Sequence, residues 1–170
     1  MHLDRIEAAF APGERVLTST ETADGQVLCA TTDALHLICS DSGVQTTGYL
    51  DILDARWEPD TATLHLVTVA GPTWFRLAGA SLLPETVRER VQSSIVLSQR
   101  VSVRGRGGAT VVARRTPRQQ RLSWQVRYDG GADPDDPLLR VQVEAALVEL
   151  RAATGEGPDD GNLPPAGLRP

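Results

Sequence analysis

The stretch VLCATTDALHLI, residues 27–38, carries the strongest structural signal in this chain of 170 residues. It holds two short apolar runs separated by Thr32 and Asp33, two residue types that favour turns. Apolar runs of this length on either side of a turn are typical of paired antiparallel strands. We therefore predict strands over residues 26–31 and 34–39 that form a β-hairpin.

Similar strand-like segments flank this hairpin on both sides. Further strands are predicted over residues 14–20, 45–50, 52–57, 63–69 and 73–77. Turn-forming residues such as Gly71 and Pro72 separate them. Roughly seven strands with short connections are expected for an antiparallel barrel or sandwich.

The spacing of apolar residues changes after residue 82. They recur there at every fourth position, as Leu83, Val87, Val91 and Ile95. This period predicts an amphipathic helix over residues 83–98, with Ser81 as its N-cap and Pro84 in its first turn. We expect this helix to close one end of a bent antiparallel sheet, with burial of Val87, Val91 and Ile95.

The segment after residue 98 predicts three more strands and a second helix. The strands cover residues 100–104, 110–114 and 122–128, and the glycine-rich turn 105–108 joins the first two. DPDDP, residues 133–137, is typical of a helix start, because Asp accepts the first amide protons and Pro fits the first turn. The apolar stripe of this helix is Leu139, Val143, Ala146, Leu147 and Leu150. Residues 155–170, rich in Gly, Pro and Asp, are expected to form a disordered tail.

This order of elements resembles the pleckstrin-homology-like (PH-like) superfold, in which about seven antiparallel strands precede a capping helix. VLCATTDALHLI resembles a strand–turn–strand of bacterial PH-like domains, and DILDARWEPDTATLHLV, residues 51–67, resembles a later hairpin with a Trp-bearing strand. The whole chain, including LPETVRERVQSSIVLSQRV and DGGADPDDPLLR, looks like an actinobacterial family of conserved proteins with no assigned activity. The family resemblance covers residues 10–153, and the PH-like part covers residues 10–98.

The resemblance implies an α+β fold, mostly of antiparallel strands, in three segments. Residues 1–98 would form a PH-like barrel with its capping helix, residues 99–154 a β-β-β-α extension, and residues 155–170 the tail. The family brings no catalytic residues, so the resemblance implies a non-catalytic module without a cofactor. PH-like folds bind peptides between the capping helix and a sheet edge, so a protein is the expected partner.

Phosphoinositide binding is not expected at the first hairpin. PH domains that bind phosphoinositides resemble each other in a cluster of Lys and Arg at this place. Here the hairpin reads TETADGQ, residues 20–26, with two acids and no base. These acids would repel a phosphate headgroup.

Composition excludes several other classes of protein. Hydrophobic residues make up 41% of the chain and charged residues 23%, as in ordinary globular proteins. No stretch reaches the 18 apolar residues that indicate a membrane span, and the N-terminus has no long apolar run, so a cytoplasmic protein is expected. All 17 basic residues are Arg, which excludes Schiff-base chemistry on lysine.

Few side chains suggest catalysis or metal binding. His36 and His65 each alternate with leucines, so both are expected on the solvent-facing side of a strand. The sequence contains no HxH, HExxH or CxxC pattern. Cys29 should face His36 across the hairpin rather than Cys39, so both thiols are expected to be free. Core or half-buried packing is expected for all three tryptophans, Trp57, Trp74 and Trp124.

The distribution of charge is the clearest functional signal. Residues 1–89 hold 13 acids and 5 arginines, residues 90–128 hold 9 arginines and no acid, and residues 129–170 hold 9 acids and 3 arginines. Two interpretations stay open: the basic block packs against acidic parts of the same chain, or it docks nucleic acid, anionic lipid or an acidic protein. The candidate residues for an anionic partner are Arg100, Arg104, Arg106, Arg114, Arg115, Arg118 and Arg121.

Overall fold

A computed structural model describes residues 10–39, 43–116, 121–155 and 166–167. In these residues the chain forms two α-helices and three sheets whose strands are mostly antiparallel, which confirms the predicted α+β class. The chain divides into two compact units. Unit 1 comprises Met1–Ser94 with Thr116–Arg118, and unit 2 comprises Ile95–Arg115 with Gln119–Pro170.

A four-stranded antiparallel sheet forms the first half of unit 1. Its strands, in spatial order, are β1 (Val16–Glu21), β2 (Val27–Thr31), β3 (Ala34–Cys39) and β4 (Gly43–Gly48). The pairing of β2 with β3 confirms the predicted hairpin. Its turn is fixed by the Thr31 hydroxyl, which accepts hydrogen bonds from the backbone amides of Asp33 and Ala34.

A three-stranded antiparallel sheet follows after a short 3-10 turn at Tyr49–Asp51. Its strands are β5 (Ile52–Glu58), β6 (Thr63–Thr68) and β7 (Gly71–Arg76). The two sheets of unit 1 are linked by an antiparallel bridge between Thr22 and Leu77, just beyond the ends of β1 and β7.

Helix α1 (Leu83–Ser93) packs its apolar side on the core of unit 1. Pro84 lies in its first turn as predicted, but the N-cap is Leu82 and not the predicted Ser81, whose hydroxyl accepts a hydrogen bond from the Leu83 amide at 3.1 Å. Val87 and Val91 are buried, as predicted. The remaining core is supplied mainly by Leu28, Leu35, Tyr49, Ile52, Leu64, Leu66 and Leu77.

The predicted end of this helix at residue 98 is wrong. Helix α1 ends at Ser93, and Ile95 begins a strand in which it pairs with Arg114. Ile95 is 42% exposed, so the predicted burial of this side chain is also wrong. Ile95 and Val96 are both β-branched residues, which favour strands. The strand pairing with Arg114 determines the conformation of Ile95, although its position matches the helical spacing of the preceding apolar residues.

The sheet of unit 2 has the spatial order β11-β10-β9-β8. Its strands are β8 (Ile95–Val103), β9 (Gly107–Arg114), β10 (Ser123–Tyr128) and β11 (Ala166–Gly167). The first three are antiparallel, and the glycine-rich turn joins β8 to β9 as predicted. The two-residue β11 pairs in parallel with β10, within the segment predicted to be a tail. The rest of that segment after Gly155 lies outside the described residues.

Helix α2 (Pro137–Thr154) covers one side of this sheet. Asp136 caps it, because one carboxylate oxygen accepts the amide protons of Leu138 at 2.9 Å and Leu139 at 3.0 Å. The buried stripe matches the predicted one, with Leu150 partly buried and the other four residues buried. Neither described helix is long and apolar enough to cross a membrane.

Candidate functional site

A buried polar cluster lies on the side of the β1–β4 sheet that faces away from the core of unit 1. The carboxylate of Glu14 stands 2.7 Å from His36 Nε2, and the side chains of His36 and Glu14 are only 3% and 4% exposed. The Thr31 hydroxyl donates to the same carboxylate oxygen, and the Ala11 amide donates to the other at 2.9 Å. The second imidazole nitrogen of His36 lies 3.0 Å from the Thr46 hydroxyl.

The cluster keeps Glu14 ionised. Burial acts to raise the pKa of this carboxyl group, because a charged group loses hydration when it is covered. Hydrogen bonds from Thr31, His36 and the Ala11 amide act in the opposite direction and outweigh burial, so the pKa of Glu14 is lowered. The carboxylate therefore stabilises the fold only while it carries its charge.

A hydroxyl, an imidazole and a carboxylate that contact one another in a row are also the parts of an activated nucleophile. Here Thr46 is exposed on β4, but the imidazole of His36 is closed over by the ring of Phe10, whose centroid lies 4.7 Å away. The imidazole is thus enclosed between the Phe10 ring and the Glu14 carboxylate. The cluster instead fastens the segment before β1 onto the sheet.

The predicted solvent exposure of His36 is wrong. His36 points away from the main core, as its alternation with leucines predicts, but Phe10 and Glu14 cover that side of the sheet. Cys29 faces His36 in the β2–β3 register, as predicted, and it is buried there with Ile38. The prediction for His65 is confirmed, because its side chain is nearly half exposed.

The buried cysteine, Cys29, is not an activated nucleophile. Cys29 and Cys39 are both free in the structure, and the register places Cys29 opposite His36 rather than Cys39. Burial, together with the nearby charge of Glu14, raises the pKa of the Cys29 thiol to about 11. Cys29 is therefore a protonated, unreactive thiol at neutral pH.

The outer side of the β5–β7 sheet presents a tryptophan to solvent. The register aligns Arg56, His65 and Trp74 in one row across the three strands. Trp74 is 66% exposed, so the predicted packing of this residue is wrong. Pro72 and Val67 pair in the next row. We call the surface formed by these five residues the Trp74 face.

The strand pattern explains why the Trp74 face is open. Trp57, Leu64 and Phe75 form the matching row on the other side of the sheet, where they pack on the core of unit 1. Residues adjacent to Phe75 must therefore point outward, because side chains alternate along a strand. The alternation in TWFRL, residues 73–77, already contained this signal.

The seven candidate arginines do not form one free positive surface. Arg100 pairs with Asp129 at 2.6 Å, and Arg106 pairs with Asp136, the cap of α2. Arg114 is only 3% exposed and donates to the side chain of Gln125 at 3.3 Å. Arg118 lies outside the described residues. The remaining three are exposed without an ion pair to any described residue, and they are Arg104, Arg115 and Arg121.

A short basic row remains on the side of the unit 2 sheet opposite α2. Arg100 and Arg127, on β8 and β10, both pair with Thr110 of β9. Both arginines are exposed, although Asp129 neutralises Arg100 in part. The ion pairs of Arg100 and Arg106 agree with the interpretation that part of the basic block packs against acids of the same chain.

Comparisons with protein-family models, with curated proteins and with solved structures find no match to this chain. Within the part of the chain that the structure describes, no group of three or more His, Cys, Asp or Glu side chains could hold a metal ion.

Proposed function

We propose that this protein is a non-catalytic interaction module with a PH-like first unit, and that it binds a protein partner through the Trp74 face. The PH-like assignment is supported by the order of elements in unit 1, with strands β1–β4 in one sheet, β5–β7 in a second, and α1 after them. The bridge between Thr22 and Leu77, which links the two sheets, supports it as well.

The exposure of Trp74 is the observation that carries the proposed binding surface. A side chain this large and apolar is usually covered, and Trp is among the residues most enriched at the energetic centres of protein interfaces. Trp74 also lies on a strand, where it pairs with His65 of β6, so little backbone conformational entropy is lost when a partner covers it.

The neighbours of Trp74 indicate the chemistry of the partner. Arg56 and His65 lie in its row, and His65 contacts the carboxylate of Glu58 at 3.3 Å. Arg76, at the end of β7, is a further exposed cation. A matching partner has an apolar pocket for the indole ring and carboxylate or carbonyl oxygens at its rim to accept from the guanidinium groups.

Affinity capture followed by titration tests this proposal. The full chain is used to retain partners from the native host, and each retained protein is then purified and titrated. We expect Trp74→Ala to weaken binding by at least about tenfold, because interface tryptophans commonly contribute this much. Leu82→Ala is the matched control, since Leu82 is 70% exposed but lies before α1 and outside this face. Equal affinity of the two variants would refute the assignment.

Nucleic-acid binding is the second candidate, and the row of Arg100, Thr110 and Arg127 favours it. Binding to a short DNA duplex would weaken steeply with salt, because each neutralised phosphate releases counterions. Arg127→Gln would reduce the slope by about one phosphate contact, whereas Trp74→Ala would leave it unchanged. Salt-insensitive binding of a protein that requires Trp74 would favour the first candidate instead.

A further inference from the structure

Helix α2 carries two apolar stripes, and the fold of unit 2 uses only one of them. The second stripe lies on the exposed side of the helix, where Leu138, Val141 and Val148 are 54%, 58% and 69% exposed. Ala145 and Ala152 are exposed in the same line. We call this set of five residues the exposed stripe.

The spacing of the exposed stripe is that of a helix–helix contact. Its members follow one another at intervals of three, four, three and four residues, the heptad pattern by which one helix packs along another. Single exposed apolar residues are common and need no explanation, but five in one heptad line indicate a surface that is covered by a second helix.

We infer that α2 pairs with α2 of a second copy of this chain, in an antiparallel arrangement about a two-fold axis. In one such register Val141 packs on the partner's Ala152, and Ala145 packs on the partner's Val148. The two-fold axis repeats both contacts, so each of these four layers joins one valine to one alanine, and Leu138 lies beyond them at the end of the contact. Large and small side chains then alternate across the contact, and the helices can approach closely.

The charges beside the exposed stripe fit the same register. Glu144 and Arg151 occupy equivalent flanking positions one heptad apart. In the antiparallel register Glu144 lies beside the partner's Arg151, and the axis generates the pair twice. Gln142 lies beside the partner's Glu149 on the other flank. A parallel pair would instead place Glu144 beside the partner's Glu149, which is repulsive.

Two contacts already orient these flanking groups. The guanidinium carbon of Arg151 lies 5.7 Å from the centre of the Trp124 ring, so the side chain packs on a residue of β10. Glu149 accepts a hydrogen bond from Gln99 of β8 at 3.3 Å. Both charged groups keep free edges for a partner, since a guanidinium has five donors and a carboxylate accepts several hydrogen bonds.

The expected dimer is weak. A stripe of this length covers less than the roughly 1,200–2,000 Å² that stable specific interfaces bury. We therefore expect a dissociation constant on the order of 10–100 µM, with a dimer fraction that rises with concentration by mass action. The pairing does not depend on the Trp74 face, and each can fail without the other.

Sedimentation velocity on the full chain, from about 1 to about 300 µM, tests the pairing. We expect Glu144→Arg and Arg151→Glu to be monomeric separately, because each places like charges together. An equimolar mixture of the two variants should dimerise again, since every flanking pair is then attractive. The double variant carrying both changes should also dimerise.

Two further variants, one a control and one a disruption, test whether the dimer depends on the exposed stripe and its flanking charges. Arg140→Glu changes an exposed charge of α2 outside the stripe and its flanks, and it should leave the dimer unchanged. Val148→Glu should abolish the dimer without lowering the melting temperature of the monomer. A monomer at every concentration would overturn the inference. So would a dimer that the single charge variants leave intact, or a mixture that stays monomeric.

Discussion

Glu14 and His36 are joined at 2.7 Å between the segment that precedes β1 and the middle of β3. Both side chains are almost wholly buried, so their contact closes one side of the β1–β4 sheet. Since the carboxylate also accepts from Thr31 and from the Ala11 amide, its removal would take away a hydrogen-bond partner that three groups share. The contact is therefore expected to govern how the fold responds to acid.

The free energy of unfolding is expected to decrease as pH falls through the range where Glu14 is protonated. The pKa of Glu14 is lowered in the folded protein, so its stabilising effect is complete above the unfolded value of 4.5 and is lost below it. At neutral pH, Glu14→Gln should cost about 1–3 kcal/mol, because hydrogen bonds to a buried charge are lost. Urea unfolding at several pH values gives both quantities.

Glu58→Gln is the matched control for this experiment. Glu58 contacts His65 at 3.3 Å, but both side chains are nearly half exposed. A surface pair of this kind contributes about 0–1 kcal/mol, so the control should change the acid response little. Equal responses of the two variants would contradict the role assigned to Glu14.

A double-mutant cycle should show that Glu14 and His36 act together. His36→Gln breaks the same contact as Glu14→Gln, so the combined variant should lose less stability than the two single losses added. Groups within one hydrogen-bond network usually couple by about 0.5–3 kcal/mol. Additive losses in chemical unfolding would mean that the two side chains stabilise the fold independently.

The two thiols should differ in reactivity. Cys29 is buried, and burial raises the pKa of its thiol to about 11, whereas Cys39 is partly exposed. Iodoacetamide at neutral pH should therefore modify Cys39 first and Cys29 only when the chain unfolds. Peptide mass spectrometry at increasing times measures both rates, and denatured protein supplies the control. Faster modification of Cys29 would contradict its burial.

Gly107 should tolerate substitution less well than Gly105, although both have positive φ. At Gly107 a Cβ atom would lie 2.8 Å from the Cβ of Ala132, whereas at Gly105 it would meet no atom within 4 Å. Gly105→Ala should cost about 1 kcal/mol for the backbone alone. Gly107→Ala should cost more, by about 1–3 kcal/mol, because the overpacked site must also shift. Thermal melts of both variants compare them directly.

Local features were predicted well from the sequence. The burial of surface side chains by distant segments of the chain was predicted poorly. The turn at Thr32 and Asp33, and the Asp136 cap of α2, depend on neighbours in the chain, and both predictions are confirmed. Alternation also assigned His36 to the correct side of β3. It carried no information that Phe10 and Glu14 would cover that side, because this contact is made by a distant segment.

The remaining errors have the same origin. Ile95 continued the helical spacing of α1, but it pairs instead with Arg114 of β9, which is distant in the chain. The exposure of Trp74 was predictable from alternation alone, although the general tendency of Trp to be packed suggested otherwise. The surface of the basic block was not predictable, since the partners of Arg100 and Arg106 follow from how the unit 2 sheet and α2 come together.

The segment before β1 determines where this chain can be shortened. Phe10 and Glu14 precede the first strand and would be absent from a version that began at Arg15. Such a truncation keeps every strand but uncovers the apolar surface of Cys29 and Ile38, beside an imidazole that has lost its carboxylate partner. Insolubility after proteolytic trimming at this end would then result from the exposure of this apolar surface and not from the loss of a strand or helix.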